Sequence, residues 1–142
     1  MSERTKVVIA DDHGVIQEGI KAALAGHPEF EVCGCASDGI QAVELVKSLA
    51  PDIVILDISM PRLSGLKAAR EIRRINDKIR IVVFTMHGDS EYVLSLFQMG
   101  VSGYVLKECP LSELICALKA VRRGDLYFCG QVQEILPRCV AC

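Results

Sequence analysis

Short apolar runs rich in valine and isoleucine recur along the chain as Val7–Ala10, Val32–Ala36, Ile53–Leu56, Ile81–Phe84 and Tyr104–Leu106. Three of them are continuously apolar, the pattern of a parallel strand whose two faces are both covered. Between the runs, apolar residues fall three and four apart, as one face of a helix requires. The first such stretch carries Val15, Ile16, Ile20, Ala23 and Leu24, and the second Val43, Val46, Leu49 and Ala50. The third has Leu66, Ala69, Ile72 and Ile75, the fourth Val93, Phe97 and Gly100, the fifth Leu111, Leu114, Ile115, Leu118 and Val121. Parallel neighbours need crossover helices. The alternation therefore predicts an α/β fold, a five-stranded parallel sheet doubly wound by five helices through right-handed crossovers.

Local punctuation agrees with this frame. Asp38, Ser64 and Asp89 each precede a helical stretch and are placed to cap its free N–H groups. Gly26, Gly100 and Gly124 follow helices where a left-handed residue is useful, and Pro51 closes the second helix. Past Gly124 the pattern weakens. Leu126-Tyr127-Phe128 is apolar and Val132, Ile135 and Leu136 suit one or two helical turns, read as a segment packing on the fifth helix or on another subunit.

Composition narrows the class without naming a task. A chain of 142 residues with 51% hydrophobic and 24% charged residues suits one compact domain. The net charge of -2 and pI near 5.9 leave no electrostatic footprint for nucleic acid. No run is long and apolar enough to span a bilayer and no secretory signal opens the sequence, so the expectation is a cytoplasmic protein with no membrane role. Seven cysteines at irregular spacing read as free thiols rather than a disulfide framework, with Cys33, Cys35 and Cys116 in or near the core.

The polar residues carry more. Asp11 and Asp12 end the first apolar run, Asp57 the third, Thr85 the fourth and Lys107 the fifth. In a doubly wound parallel sheet these ends share one edge, where ligands bind. Carboxylates about 4 Å apart repel by roughly 1 kcal/mol in bulk water and by several at a protein surface. Such a cluster calls for a cation, a shared proton or a lysine, and hard oxygen donors open to solvent favour Mg²⁺. A carboxylate beside that ion is a nucleophile toward phosphorus. Phosphoryl transfer mainly needs positioning and charge neutralisation, which Lys107 and the Thr85 hydroxyl can also supply. Any one of these residues alone would be an ordinary cap or solvated charge; four strand ends in order are not.

Other features take bland readings. His13 is assigned a surface or capping role because Mg²⁺ prefers oxygen, and His27 a place in a loop. Arg70, Arg73, Arg74, Lys78 and Arg80 read as a solvated helix face. Cys139 and Cys142 have CxxC spacing, with Cys109 or Cys129 as conceivable neighbours, but a zinc site usually takes two such pairs and only one is present.

In order and spacing, Asp11-Asp12, Asp57 with Met60-Pro61 and Gly65, Thr85, and Tyr104 with Lys107 resemble the receiver domain of two-component response regulators, the CheY-like (flavodoxin-like) family. The resemblance covers about residues 5 to 123. Ala10-Asp11-Asp12-His13, Glu18-Gly19-Ile20, Asp57-Ile58-Ser59-Met60-Pro61 and Thr85-Met86-His87 are similar to one branch, usually joined to a LuxR-type helix-turn-helix that binds DNA. The resemblance implies strand order 2-1-3-4-5. It implies Asp57 as phosphoacceptor and Mg²⁺ held by Asp12, Asp57 and the Ser59 backbone carbonyl, with Asp11 acting largely through water. Thr85 and Lys107 would grip phosphoryl oxygens, and Tyr104 would turn inward as Thr85 is drawn to the phosphate. Met86 and the side chains of Ser59 and His87 would border the site and tune phosphoryl lifetime.

The donor implied is a phosphohistidine on a sensor histidine kinase. Homodimers are expected through the fourth-helix, fifth-strand and fifth-helix face or through the first and fifth helices. Residues 1–123 are expected to form the receiver and 124–142 a linker or C-terminal tail, the output domain being absent and DNA contact resting on it. Such a domain is not an enzyme, catalysing only its own phosphorylation and dephosphorylation. The sequence departs from many receivers in carrying Glu108, not proline, after Lys107, which leaves that peptide's isomer open. Two other readings are a stand-alone receiver acting by docking and a Mg-dependent phosphohydrolase with an aspartyl nucleophile. The latter usually has a second aspartate two residues on, where Ser59 stands here.

Overall fold

The computed structural model describes residues 4–136, so the Cys139/Cys142 pair lies outside the described residues. The chain runs β1 (Thr5–Ala10), α1 (Gly14–Leu24), β2 (Phe30–Ala36), α2 (Gly39–Leu49), β3 (Ile53–Leu56), α3 (Gly65–Ile75), β4 (Arg80–Thr85), α4 (Ser90–Met99), β5 (Gly103–Leu106), α5 (Leu111–Arg122), β6 (Tyr127–Phe128) and α6 (Gly130–Gln133). All strand pairs are parallel, in the order β2-β1-β3-β4-β5-β6.

The pleat sorts the apolar runs into two cores. Val8, Ala10, Val54, Leu56, Ile81 and Val83 face α2, α3 and α4. Val7, Ile9, Ile53, Ile55, Val82 and Phe84 face α1 and α5. Each valine, isoleucine, leucine or phenylalanine among them contributes roughly 1.5–3 kcal/mol on burial, which explains why the strands read as unbroken apolar runs.

The five-strand, five-helix expectation is corrected to six of each among the described residues. β6 is two residues long and α6 four, too short to print a period on the sequence. β6 nevertheless pairs with the edge of β5, the Tyr127 N–H donating to the Ser102 carbonyl (2.9 Å) and the Cys129 N–H to the Tyr104 carbonyl (3.0 Å). Gly124, with φ 97°, permits the reversal after α5. Phe128 and Val132 are buried, and the Phe128 ring meets Phe97 edge to face at 5.6 Å. Phe128→Ala should therefore cost about 3 kcal/mol in denaturant unfolding. A loss under about 0.5 kcal/mol would put this segment outside the cooperative unit.

Asp38 and Ser64 cap α2 and α3, accepting from the Gln41 and Lys67 N–H groups, whereas Asp89 holds the N-cap position of α4 without a side-chain bond. Gly100 is left-handed as expected, but α2 closes on left-handed Ala50, and Gly26 lies outside that region. Cys116 is exposed rather than near the core, because the buried face of α5 passes through Leu114, Ile115, Leu118 and Val121. The basic stretch is partly structural. Arg73 donates to the Asp77 and Ile79 carbonyls, and Arg80 to the Val121 carbonyl at 2.6 Å.

Candidate functional site

Strand register gathers the polar ends. Ala10 lies opposite both Ala36 and Leu56, so Asp11 and Asp57 leave adjacent strands side by side. The Asp57 N–H donates to the Ala10 carbonyl and the Asp11 N–H to that of Ala36, both at 3.0 Å. Thr85 lies opposite Leu106, and the Lys107 N–H extends that ladder to the Thr85 carbonyl at 2.8 Å. Asp11, Asp57, Thr85 and Lys107 thus meet on one edge of the sheet.

The Lys107 ammonium lies 2.7 Å from Asp11 Oδ2 and 3.0 Å from Asp57 Oδ2. Both carboxylates are buried, at 2% and 4% exposure, whereas the Asp12 side chain is one-third exposed. Burial works to lower the lysine's pKa, but its hydrogen bonds to Asp11 and Asp57 together outweigh it and hold the ammonium above the ordinary value. Asp11, Asp12, His13 and Asp57 offer ligand atoms within 4.8 Å of one another. Three carboxylates against one ammonium leave two negative charges in excess. Hard oxygen donors with that excess fit a divalent ion of the Mg²⁺ type.

The loop after β3 owes its shape to glycine. Gly65 donates its N–H to the Ile58 carbonyl at 2.7 Å, and a Cβ at Gly65 would collide with the Asp57 carbonyl. Only glycine lets α3 start so close to the acidic site. On the outer side of this loop, left-handed Arg62 (φ 68°) pairs with buried Asp38 at 3.1 Å.

A second set of contacts closes over the rim. The Ser59 N–H approaches Asp57 Oδ1 at 3.4 Å, and the Ser59 hydroxyl meets His87 Nε2 at 2.5 Å. The His87 N–H reaches Thr85 Oγ1 at 3.4 Å, its carbonyl accepts from the Tyr104 hydroxyl at 2.5 Å, and its ring stands edge-on to Tyr92. Tyr104 is wholly buried, the inward position, and burial, followed by the negative charge of Asp89, pushes its phenol pKa well up. His87 therefore touches Ser59, Thr85 and Tyr104. Met86 is exposed at 77% and points away from this closure into solvent.

Two contacts were not foreseen. Gln17 donates to the Asp11 carbonyl (2.6 Å) and the Ala36 carbonyl (3.1 Å), holding the acidic turn; its helix neighbours include His13, Gly14 and Lys21, so no local pattern signals it. His13 makes no side-chain cap bond, and its Nδ1 instead lies 3.2 Å from Asp11 and 3.1 Å from Asp12. Among the described residues no peptide bond is cis, so Lys107–Glu108 is trans.

The family model described as the response regulator receiver domain matches residues 7–119. The chain is 40% identical over 133 residues to the transcriptional regulatory protein DegU of Brevibacillus brevis, covering 94% of this chain and 56% of that protein. It is 40% identical over 123 residues to the oxygen regulatory protein NreC of Staphylococcus carnosus, covering 86% of this chain and 57% of that protein. The chain thus spans little more than half the length of these relatives. Among solved structures it is similar to a LuxR-family two-component response regulator from Aurantimonas sp. SI85-9A1, with TM-score 0.89, 30% identity and coverage of 99% and 100% of the two chains. The isolated REC domain of RcsB from Salmonella enterica serovar Typhimurium, in the presence of phosphomimetic BeF3-, gives TM-score 0.88 at 26% identity, covering 95% of this chain and all of that one.

Proposed function

The chain belongs to the response regulator receiver-domain family, and from that premise we propose that Asp57 is its phosphoacceptor. The observation that carries the reading is the Lys107 ammonium held between the Asp11 and Asp57 carboxylates at the strand ends. An Asp57 oxygen would attack phosphorus of a phosphohistidine on a sensor histidine kinase. The new P–O bond forms as the P–N bond breaks, and the imidazole leaves with the electron pair and takes up a proton. Lys107 and the Thr85 hydroxyl would then bind oxygens of the transferred group. Asp11, Asp12, Asp57 and the Ser59 backbone carbonyl would hold a divalent ion, which would supply further charge neutralisation.

Phosphorylation brings about -1.5 to -2 charge to a rim already in negative excess. Lys107 would shift from Asp11 toward the phosphoryl group. Thr85 would follow, and Tyr104, expected to turn inward only at that step, already lies inward against the His87 carbonyl and would be fixed there. The altered face of α4, β5 and α5 would then favour a second copy of the chain, as would α1 with α5, where Val15 is exposed. Among similar solved structures, RcsB is seen as dimers bound to DNA. For this protein, control of transcription through a DNA-binding region is inferred from its relatives, as is a place in the cytoplasm with the DNA. Among the described residues no helix is long and apolar enough to cross a membrane.

The test is chemical. Incubation with acetyl phosphate and Mg²⁺ should add one phosphoryl group per chain, and borohydride reduction followed by peptide mapping should place it on Asp57. Chelating the metal should suppress the uptake. Label on any other residue would overturn the assignment.

A further inference from the structure

Outside the carboxylate rim, a second group of metal-ligating side chains comes together where β5, α5 and β6 meet. Cys109 lies in the loop after β5, Glu113 in the first turn of α5, and Cys129 at the N-cap position of α6. Their Sγ and carboxylate atoms lie within 4.8 Å of one another although the residues span 20 positions of sequence. Cys129 is buried, and the other two are half-buried, leaving one side open to solvent. The Tyr127 hydroxyl donates to Glu113 Oε2 at 3.2 Å and so fixes the carboxylate's orientation.

From this geometry we infer that Cys109, Glu113 and Cys129 form a separate site for a thiophilic divalent cation, of which Zn²⁺ is the type. Two thiolates and a carboxylate are a borderline-soft donor set, suited to zinc and poorly matched to Mg²⁺. Tetrahedral Zn–S bonds of about 2.3 Å put sulfur atoms about 3.8 Å apart, so the ligands need to close by no more than about 1 Å. Water would complete the coordination on the open side. Tyr127 stands where partners of metal-bound carboxylates commonly stand, donating to the ligand rather than to the ion.

Two cysteines packed together would by themselves be small apolar residues filling a gap. The carboxylate changes this. It adds a charged oxygen donor beside the two sulfur atoms, oriented by Tyr127, a set that a cation can bridge.

The position ties the site to the signalling face. Cys129 donates its N–H to the Tyr104 carbonyl, and Cys109 follows Lys107 by two residues. A bound ion would clamp the loop that carries Lys107 to the segment leading into α6.

The experiment uses the reduced, metal-free 142-residue chain titrated with Co²⁺, then displaced with Zn²⁺. The expected result is one equivalent of Co²⁺ giving a sulfur-to-cobalt charge-transfer band, a signature the oxygen-donor rim cannot produce. The band should persist in Asp57→Asn and in Cys139→Ser/Cys142→Ser. It should disappear in Cys109→Ser and in Cys129→Ser, with affinity down at least about 100-fold, and weaken about tenfold in Glu113→Gln. Glu113→Gln keeps the shape of a half-buried side chain, so the inference stays exposed even if Cys129→Ser fails to fold. Absence of the band, its survival in Cys109→Ser, unchanged affinity in Glu113→Gln, or its loss in the Cys139→Ser/Cys142→Ser protein would each overturn the site.

Discussion

Asp57→Ala protein should take up no phosphoryl group from acetyl phosphate and Mg²⁺, at least about 100-fold below the parent chain, yet fold normally. The loss follows from position rather than from the number of carboxylates present, because phosphoryl transfer depends on alignment more than on nucleophile strength. Asp11 is buried and held by Lys107 at 2.7 Å, while Asp12 points partly into solvent beside His13. Neither is presented as Asp57 is, between the lysine and the Ser59 N–H. The backbone tie between Asp57 and Ala10 is untouched by the change, and Lys107 keeps its bond to Asp11. One negative charge leaves a rim that carries two in excess, so stability in metal-free buffer should stay level or rise slightly. Divalent-ion affinity should fall at least about tenfold, since one ligand and one charge go together. Intact mass reads the first effect and calorimetric Mg²⁺ titration the second. A full phosphoryl increment in the variant would move the acceptor elsewhere.

Lys107→Met has the second largest effect, and its sign depends on conditions. The ammonium is 9% exposed and is the cation bridging Asp11 and Asp57. Removing one member of a buried ionic cluster while leaving the rest costs about 3–5 kcal/mol. Metal-free Lys107→Met should therefore be about 3 kcal/mol less stable near neutral pH. The two carboxylates left facing each other repel until a proton or a divalent ion comes between them. Stability of the variant should accordingly recover on adding Mg²⁺, which it should bind more tightly than the parent.

In the parent chain the bridge is sensitive to pH at the alkaline end. Its lysine pKa is raised by folding, so that group's contribution is complete below the ordinary value of 10.5 and is lost as pH climbs through the raised one. Denaturant unfolding across pH, with and without Mg²⁺, separates the two patterns. Equal stability of both proteins in metal-free neutral buffer would mean that the Lys107 bridge contributes nothing net.

Much of this site was legible before any coordinates. Continuous runs such as Ile53–Leu56 and Ile81–Phe84 announce strands covered on both faces, because a parallel strand cannot hide an alternating polar residue. Once the runs are strands, Asp11, Asp57, Thr85 and Lys107 fall at their ends, and the C-terminal edge of a parallel sheet is a single place. The chemistry of that edge follows from like charges needing a counter-ion.

The rest lay in contacts between residues far apart in the chain, which leave no periodic trace. Nothing in Leu126-Tyr127-Phe128 says that two residues will add a strand to β5; that depends on an open edge and on Gly124 turning the chain toward it. Cys116 looked interior because its neighbours are apolar, and only the rotation of α5 against the sheet puts it outside. His87 meets Ser59 and Tyr104 through register between β3, β4 and β5. Cys109, Glu113 and Cys129 likewise share a spacing that only the closed fold brings within ligand distance. Local pattern determined the elements and the residues at their ends, since hydrophobic burial acts on each segment. Which side chains touch was decided by packing, because distance in space is set by the whole sheet and not by any one stretch of it.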